Sequence, residues 1–300
     1  MDYRKLHNDE LIDLIFTQED RLPRAVADEI VQRAGELTRD LALIAMDRVL
    51  WTADIPDWWA PIHATYLLGA IGTPEVITPL LSALRWSDAY DNEWIAEDLP
   101  SIFGATGLIA RAPLEAAIAE KSAGWSARAI AMDGLTAIAV HHTAIEEDVV
   151  HLLTAILKDT SEEMGARRAA ATILLDLRRS DRRKDLVKFA RADERMFKED
   201  PMLTGGLSVK EVEDCFAVPA RDTEYYLRDW MAFYDADEIR KRQNRWSEED
   251  AKYRVRPQML GAEGAVGRAQ MKKTMEVRLE GVCPCGSGKK FRRCCWQKVH

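Results

Sequence analysis

The chain has 300 residues and a mass of 34.0 kDa, with 47% hydrophobic and 31% charged residues. It is long enough to bury one or two cores without disulfides, and its composition excludes a collagen, a disordered tail or a coiled-coil rod. The net charge of −8 conceals an asymmetry: residues 265–300 hold nine Lys or Arg against two acids, net +7, which leaves 33 bases against 48 acids, net −15, in residues 1–264. An acidic body repels phosphate backbones from most of its surface, whereas a basic tail attracts an anionic partner such as RNA or an acidic protein.

Met1 to Asp13 alternates acids and bases and lacks the apolar core of a secretory signal, so a cytoplasmic protein is expected. Apolar runs fall short of a membrane span; Asp47 interrupts the best of them, Leu41 to Trp51, and no membrane insertion is expected. Residues 1–22 read as an N-terminal capping helix. From residue 23 the chain repeats with a period of about 35 residues. His63 to Leu84 is the clearest unit: an apolar helix, a break from Gly69 to Pro74, and a second helix with apolar positions at helical spacing. Thr73 is placed to cap that second helix, Pro74 suits its first turn, and Glu75 favours its positive end. Gly69 has counterparts in Gly35, Gly104, Ala139 and Asp176, which implies about five helical hairpins within residues 23–192. Small residues at such positions let two helices approach closely, and stacked neighbours complete a core that no single hairpin can build.

The string A-T-Y-L-L-G-A-I-G-T-P-E-V-I-T-P-L-L-S-A-L from Ala64 to Leu84 resembles a HEAT repeat, with the other units as degenerate copies. The resemblance implies an all-α, right-handed α-solenoid with a concave and a convex surface. Tetratricopeptide repeats are disfavoured because their aromatic and alanine signature is absent, and an irregular helical bundle is the competing architecture.

Residues 193–253 stay helical by pattern but lose the period and are expected to form a C-terminal helical cap. Residues 254–278 read as a linker, and residues 279–300 as a small metal module. Four of the five cysteines fall there, as C-x-C-x8-C-C: Cys283, Cys285, Cys294 and Cys295. Two close pairs across a short loop suit one tetrahedral ion held by four thiolates, and zinc is the expected ion. Lys289, Lys290, Arg292 and Arg293 lie where they offset the net charge of −2 on such a site. An iron–sulfur cluster is the alternative. Two disulfides are opposed by a reducing cytosol and by the strained geometry of a bridge between neighbours.

C-P-C-G-S-G-K-K-F-R-R-C-C resembles the SEC-C motif, which implies zinc ligation by Cys283, Cys285, Cys294 and Cys295 and a docking role toward proteins or ribosomes rather than catalysis. The chain departs from the usual motif in its R-L-E-G-V lead-in and in Trp296 after the second pair.

Other candidate chemistry is weaker. G-S-G-K is not a phosphate loop, since Lys290 stands where Ser or Thr must bind magnesium. His141 and His142 read as structural or solvated, Cys215 as a small core residue, and the absence of a His-Glu dipeptide disfavours a di-iron hydroxylase resembling the HEAT-like deoxyhypusine enzymes. Trp51 and Trp86 are one period apart, as are Trp59 and Trp94. With Trp58, these rings either fill space between repeats or form an aromatic strip that binds a peptide or flipped base; Trp58, Trp59, Trp86 and Trp94 are the candidate partner-binding residues. Arg167, Arg168, Arg178, Arg179, Arg182, Arg183 and Lys184 make one local basic patch in an otherwise acidic body. The sequence reads best as a non-catalytic adaptor or scaffold with one structural zinc ion and a protein partner, and the SEC-C resemblance implies a place near translation or protein export. The alternative is a nucleic-acid-directed protein, either bound to a ribosome or RNA through the basic tail or acting as a HEAT-like DNA glycosylase.

Overall fold

The computed structural model describes residues 2–199 and 206–253, and these are all-helical, without a strand. A short helix, α1 (Asn8–Thr17), precedes ten helices, which the sequence period groups in pairs as α2 (Arg24–Gln32) with α3 (Ala34–Met46), α4 (Trp59–Ile71) with α5 (Ile77–Ala89), α6 (Glu93–Thr106) with α7 (Arg111–Ala119), α8 (Gly124–His141) with α9 (Glu146–Lys158), and α10 (Met164–Asp176) with α11 (Arg183–Glu199). Packing crosses this grouping: α3 lies against α4, α7 against α8 and α9 against α10. Then come α12 (Val209–Ala217) and α13 (Ala236–Tyr253). The expected metal module, residues 279–300, and the linker, 254–278, lie outside the described residues.

The hairpin turns follow the sequence period with one correction. Gly69, Gly104, Ala139 and Asp176 all fall near the end of the first helix of a pair, but Gly35 is the second residue of α3. The first break comes at Arg33, whose backbone leaves helical geometry and whose guanidinium donates to the Leu6 and Arg4 carbonyls and to Asn8. Holding the N-terminal segment fixes that break. Gly72 ends α4 with φ of 64°, a left-handed conformation that glycine adopts without steric cost. Pro74 starts a 3-10 turn before α5, as its fixed φ allows. Thr73 occupies the cap position without a side-chain cap hydrogen bond; it bonds the Glu75 side chain and helps hold that carboxyl below its usual range.

The described residues divide into two compact units, one of residues 2–83 with 231–253, the other of the described residues within 84–230. The expected cap, 193–253, is thereby shared out: part continues α11, part belongs to the second unit, and α13 belongs to the first. In the first unit, α4 is buried on nearly every side and packs on α1, α2 and α3. Leu11, Ile15, Leu37, Leu41, Ile62 and Tyr66 fill its core. α13 is clamped to the turn at Glu19–Arg21: Arg242 lies 3.7 Å over the Phe233 ring and donates to the Asp20 and Phe233 carbonyls, while Gln243 and Trp246 donate to the Asp20 carboxylate.

In the second unit α8 is the central helix, packed by α6, α7, α9 and α10. A Cβ on Gly104 of α6 would lie 3.0 Å from the Ala137 Cβ of α8, and one on Gly134 of α8 would lie 2.9 Å from Phe103 of α6. The helices interlock where each lacks a side chain. Residues 93–119 are by length and composition apolar enough to cross a membrane, although shorter unbroken runs are what the sequence suggests. Gly107, at φ 77°, interrupts that stretch, whose most apolar window is 44% buried, and both α6 and α7 pack on α8.

Candidate functional site

The residues singled out as metal ligands, Cys283, Cys285, Cys294 and Cys295, and the accompanying Lys289, Lys290, Arg292 and Arg293 all lie outside the described residues. Among the described residues no group of three or more His, Cys, Asp or Glu could hold a metal ion. Cys215 is half-buried, 3.6 Å from the Leu175 carbonyl oxygen, with burial pushing its thiol up; it packs as a small side chain.

The tryptophans do not share one role. In the first unit Trp51 is buried and donates from its indole nitrogen to the Ala45 carbonyl at 3.0 Å, closing the end of α3. Trp59 is 6% exposed, edge-on to Trp58 and 6.1 Å from the Phe233 ring. It fills space between α4 and the chain that follows Met231. In the second unit Trp86 lies in the last turn of α5 beside Tyr90, and Trp94 is half-buried at the start of α6. Trp51 and Trp86 therefore occupy different kinds of element, a turn and a helix, despite their spacing of one period. Trp125, which the period does not mark, is 47% exposed and covers Gly165 of α10 so closely that no Cβ would fit there.

Beside α6, α8 and α10 the second unit is occupied by its own chain. The segment after α12 returns over these helices: Asp222 donates its backbone N–H to the Asp176 carbonyl at 3.0 Å, Ser101 donates to the Tyr225 carbonyl at 3.1 Å, and Tyr226 is fully buried. The Tyr226 hydroxyl donates to Asp176 at 3.0 Å. Asp133 of α8 stands beside this pair. Burial, with the like charge of Asp176 added, pushes the Asp133 carboxyl up to about 8, and burial pushes Asp176 up to about 6. Two raised carboxyls are a signature of acid–base sites. Here both carboxyls are half-buried and the phenol hydroxyl bonds one of them, which ties the returning segment to α10. Sequence reading missed this cluster because only the returning chain brings Tyr226 to carboxylates on two separate hairpins.

A comparable group lies in the first unit. His63 is fully buried on α4, with Nε2 2.6 Å from the Glu19 carbonyl oxygen and Nδ1 3.2 Å from the Tyr234 hydroxyl. A carbonyl only accepts, so Nε2 carries the proton and Nδ1 accepts from Tyr234. Burial holds the imidazole down at about 4, neutral at physiological pH.

Most of the basic patch anticipated on the fifth hairpin is neutralised. Arg179 bonds Glu147 and Asp181, Arg182 bonds Glu147, Arg168 forms a forked pair with the fully buried Asp193, and Arg167 and Arg178 donate to the Leu157 and Val218 carbonyls. What remains is the outer face of α11, where Lys184, Lys188, Arg191 and Arg195 are exposed. The last three were not recognised in the sequence, although their spacing, every three or four residues from Lys184, was there to be read.

Comparison with known families bears on the tail alone. Residues 282–297 match the SEC-C motif. The SEC-C match includes all four clustered cysteines and the four basic residues between them. No family match covers the helical hairpins. No curated protein and no solved structure matches the chain.

Proposed function

We propose that the protein is a non-catalytic macromolecular-interaction protein whose SEC-C segment holds one structural zinc ion through Cys283, Cys285, Cys294 and Cys295. The observation that carries this reading is the coincidence of C-x-C-x8-C-C with the SEC-C match. Four thiols in two close pairs suit a closed tetrahedral site, which leaves no coordination position for a substrate or an attacking water. When bound, the ion would fold its own small module; such sites make metal affinity part of folding free energy. The cytoplasm, where thiols stay reduced, is the compartment such a site fits.

The helical body supports the same reading. Its helices recur at about the period of the HEAT-like sequence, and repeats of that kind stack into extended, solenoid-like surfaces used for partner recognition. The half-buried acids Asp133 and Asp176 and the buried His63 all bond to or stand beside tyrosines of segments that return over the helices, a role in seating the chain. A protein partner docked on the hairpins, with the zinc module as a second grip, would gain affinity through the high local concentration of the tethered contact.

Metal analysis of the full chain, purified under reducing conditions, tests this. One zinc per chain is expected, lost in the Cys294→Ser/Cys295→Ser variant, while the melting of the helical body stays unchanged. Absence of metal, or cysteines already joined to one another in the cell, would overturn the zinc assignment. Partner capture from native lysate, compared with a chain lacking residues 268–300, tests the docking role; identical captures would remove the module from it.

The second reading, association with RNA or a ribosome through Lys289, Lys290, Arg292 and Arg293, is favoured by the charge of +7 on residues 265–300.

A further inference from the structure

We propose that the groove along α11 in the second unit binds the phosphodiester backbone of a nucleic acid, at a site separate from the C-terminal cysteine module. The groove has a volume of about 560 Å³, and its charged lining is Arg183, Lys184, Lys188, Arg191 and Arg195 against a single acid, Glu213 of α12. That acid is already engaged by Arg183. Among the described residues no acid pairs with Lys184, Lys188, Arg191 or Arg195. Elsewhere on this hairpin Arg168, Arg179 and Arg182 are held by Glu146, Glu147, Asp181 and Asp193.

Geometry keeps the four cations in file. Positions 184, 188, 191 and 195 share one helix face, and a rise of 1.5 Å per residue sets them at intervals of about 5–6 Å over about 16 Å. The opposite face of α11 is pinned inward by Leu186, Phe189, Ala190 and Asp193, all buried, so the stripe cannot turn away from solvent.

The rest of the lining decides between polyanions. Besides the charged groups the groove offers only Val187 and Ala192. A peptide partner draws most of its binding energy from large buried anchors such as Trp, Tyr or Arg seated in pockets, and this lining has no pocket of that kind. Bases stack on aromatic rings, and the lining has none. What is left is a row of charges, matched by a strand that carries one phosphate per nucleotide and recognised without regard to sequence. The net −15 of residues 1–264 does not forbid this. Screening over about 8 Å at physiological salt confines the field at the groove to its own cations.

The test uses the full chain and fluorescence anisotropy with short labelled single-stranded RNA, duplex RNA and duplex DNA across a salt series. Poly-glutamate is the competitor. Lys188→Glu/Arg191→Glu is expected to weaken nucleic-acid binding by roughly tenfold or more and to lower the salt slope by about one for each cation removed. Lys188→Gln/Arg191→Gln, milder and on exposed positions, should give a smaller loss in the same direction with unchanged melting. Unchanged affinity and slope in both variants would overturn the proposal. So would binding that poly-glutamate displaces as well as RNA does, which would make the groove a site for acidic protein. Binding lost in Cys294→Ser/Cys295→Ser but kept in the α11 variants would assign it to the tail instead. Zinc content, measured on the same samples, reports on the metal reading independently.

Discussion

Arg128 and Glu162, 34 positions apart, meet through two parallel hydrogen bonds of 2.8 Å, with both side chains almost wholly buried. The third arm of the guanidinium donates to the Ile118 carbonyl at 2.7 Å. One residue of α8 thus satisfies the end of α7 and ties down the turn after α9. Arg167 of α10 repeats half of the device, donating to the Leu157 carbonyl at the end of α9. The pairing holds the Glu162 carboxyl down at about 2.

Arg128→Met should therefore destabilise the second unit by about 3 kcal/mol, because it leaves a nearly buried carboxylate with only Lys121, at 3.4 Å, as counter-charge. Arg167→Met, which leaves only an end-of-helix carbonyl unpaired, should cost about 1 kcal/mol. Adding Glu162→Leu to Arg128→Met should restore much of the loss. Urea unfolding followed by hydrogen exchange in α8 checks this, and equal effects from the two arginine variants would refute the ranking.

The glycines make an opposite-signed pair. Gly104→Val would push a side chain against Ala137 and His141, already 3.0 Å from where its Cβ would sit, and should cost about 1–3 kcal/mol. Gly35 lies inside α3, and a methyl group added there would meet nothing within 4 Å. Gly35→Ala should stabilise by about 0.5–1 kcal/mol through helix propensity. Thermal melting of the two variants reads the contrast directly.

Asp133 sets a pH dependence for the second unit. Its carboxyl titrates near 8 in the fold, far above its unfolded value of 3.8, so the native state holds the proton more tightly. That contribution is full below the unfolded value and is lost as pH rises through about 8. Asp133→Asn, which keeps the size and a hydrogen-bonding head, should abolish the loss. Relative to the parent, its stability should rise progressively from pH of about 4 to about 8, stay level above that, and match the parent below pH of about 4. Parallel stability curves for the two proteins would show that Asp133 titrates normally.

His63 acts with the reverse sign in the first unit. Its imidazole titrates near 4 in the fold against 6.5 unfolded, so the unfolded chain binds the proton first. Stability is lost as pH falls from about 6.5 to about 4, by roughly 3 kcal/mol in all. An NMR titration following the His63 ring should show a neutral imidazole through mildly acidic conditions, with Nε2 protonated; a midpoint at the ordinary histidine value would rule this out.

How much of this was legible depended on distance along the chain. The helix pairs could be read because apolar spacing, Pro74 and Gly72 act within a few residues of one another. The first break is not at Gly35, where the period puts it, because its real cause, Arg33, is tied to the N-terminal segment some 25 residues away. The tryptophan period is real as spacing, yet it joins Trp51 in a turn to Trp86 in a helix, since equal spacing does not guarantee equal structure. The basic patch is on the hairpin that the sequence marks, but which cations stay available could not be read without knowing where Glu146, Glu147 and Asp193 fall.

The helical class and the cluster of four cysteines follow from the amino-acid order, because helix periodicity and ligand spacing are properties of short segments. The fold alone brings Tyr226 onto Asp176, 50 positions earlier, Arg242 onto Asp20, 222 positions earlier, and Phe233 against Trp59. Such pairs depend on where the chain returns, and burial then fixes what the charges do. Burial raises the Asp176 carboxyl even though a phenol donates to it, an arginine beside a carboxylate is spent, and four cations on the outer face of α11 are left facing water.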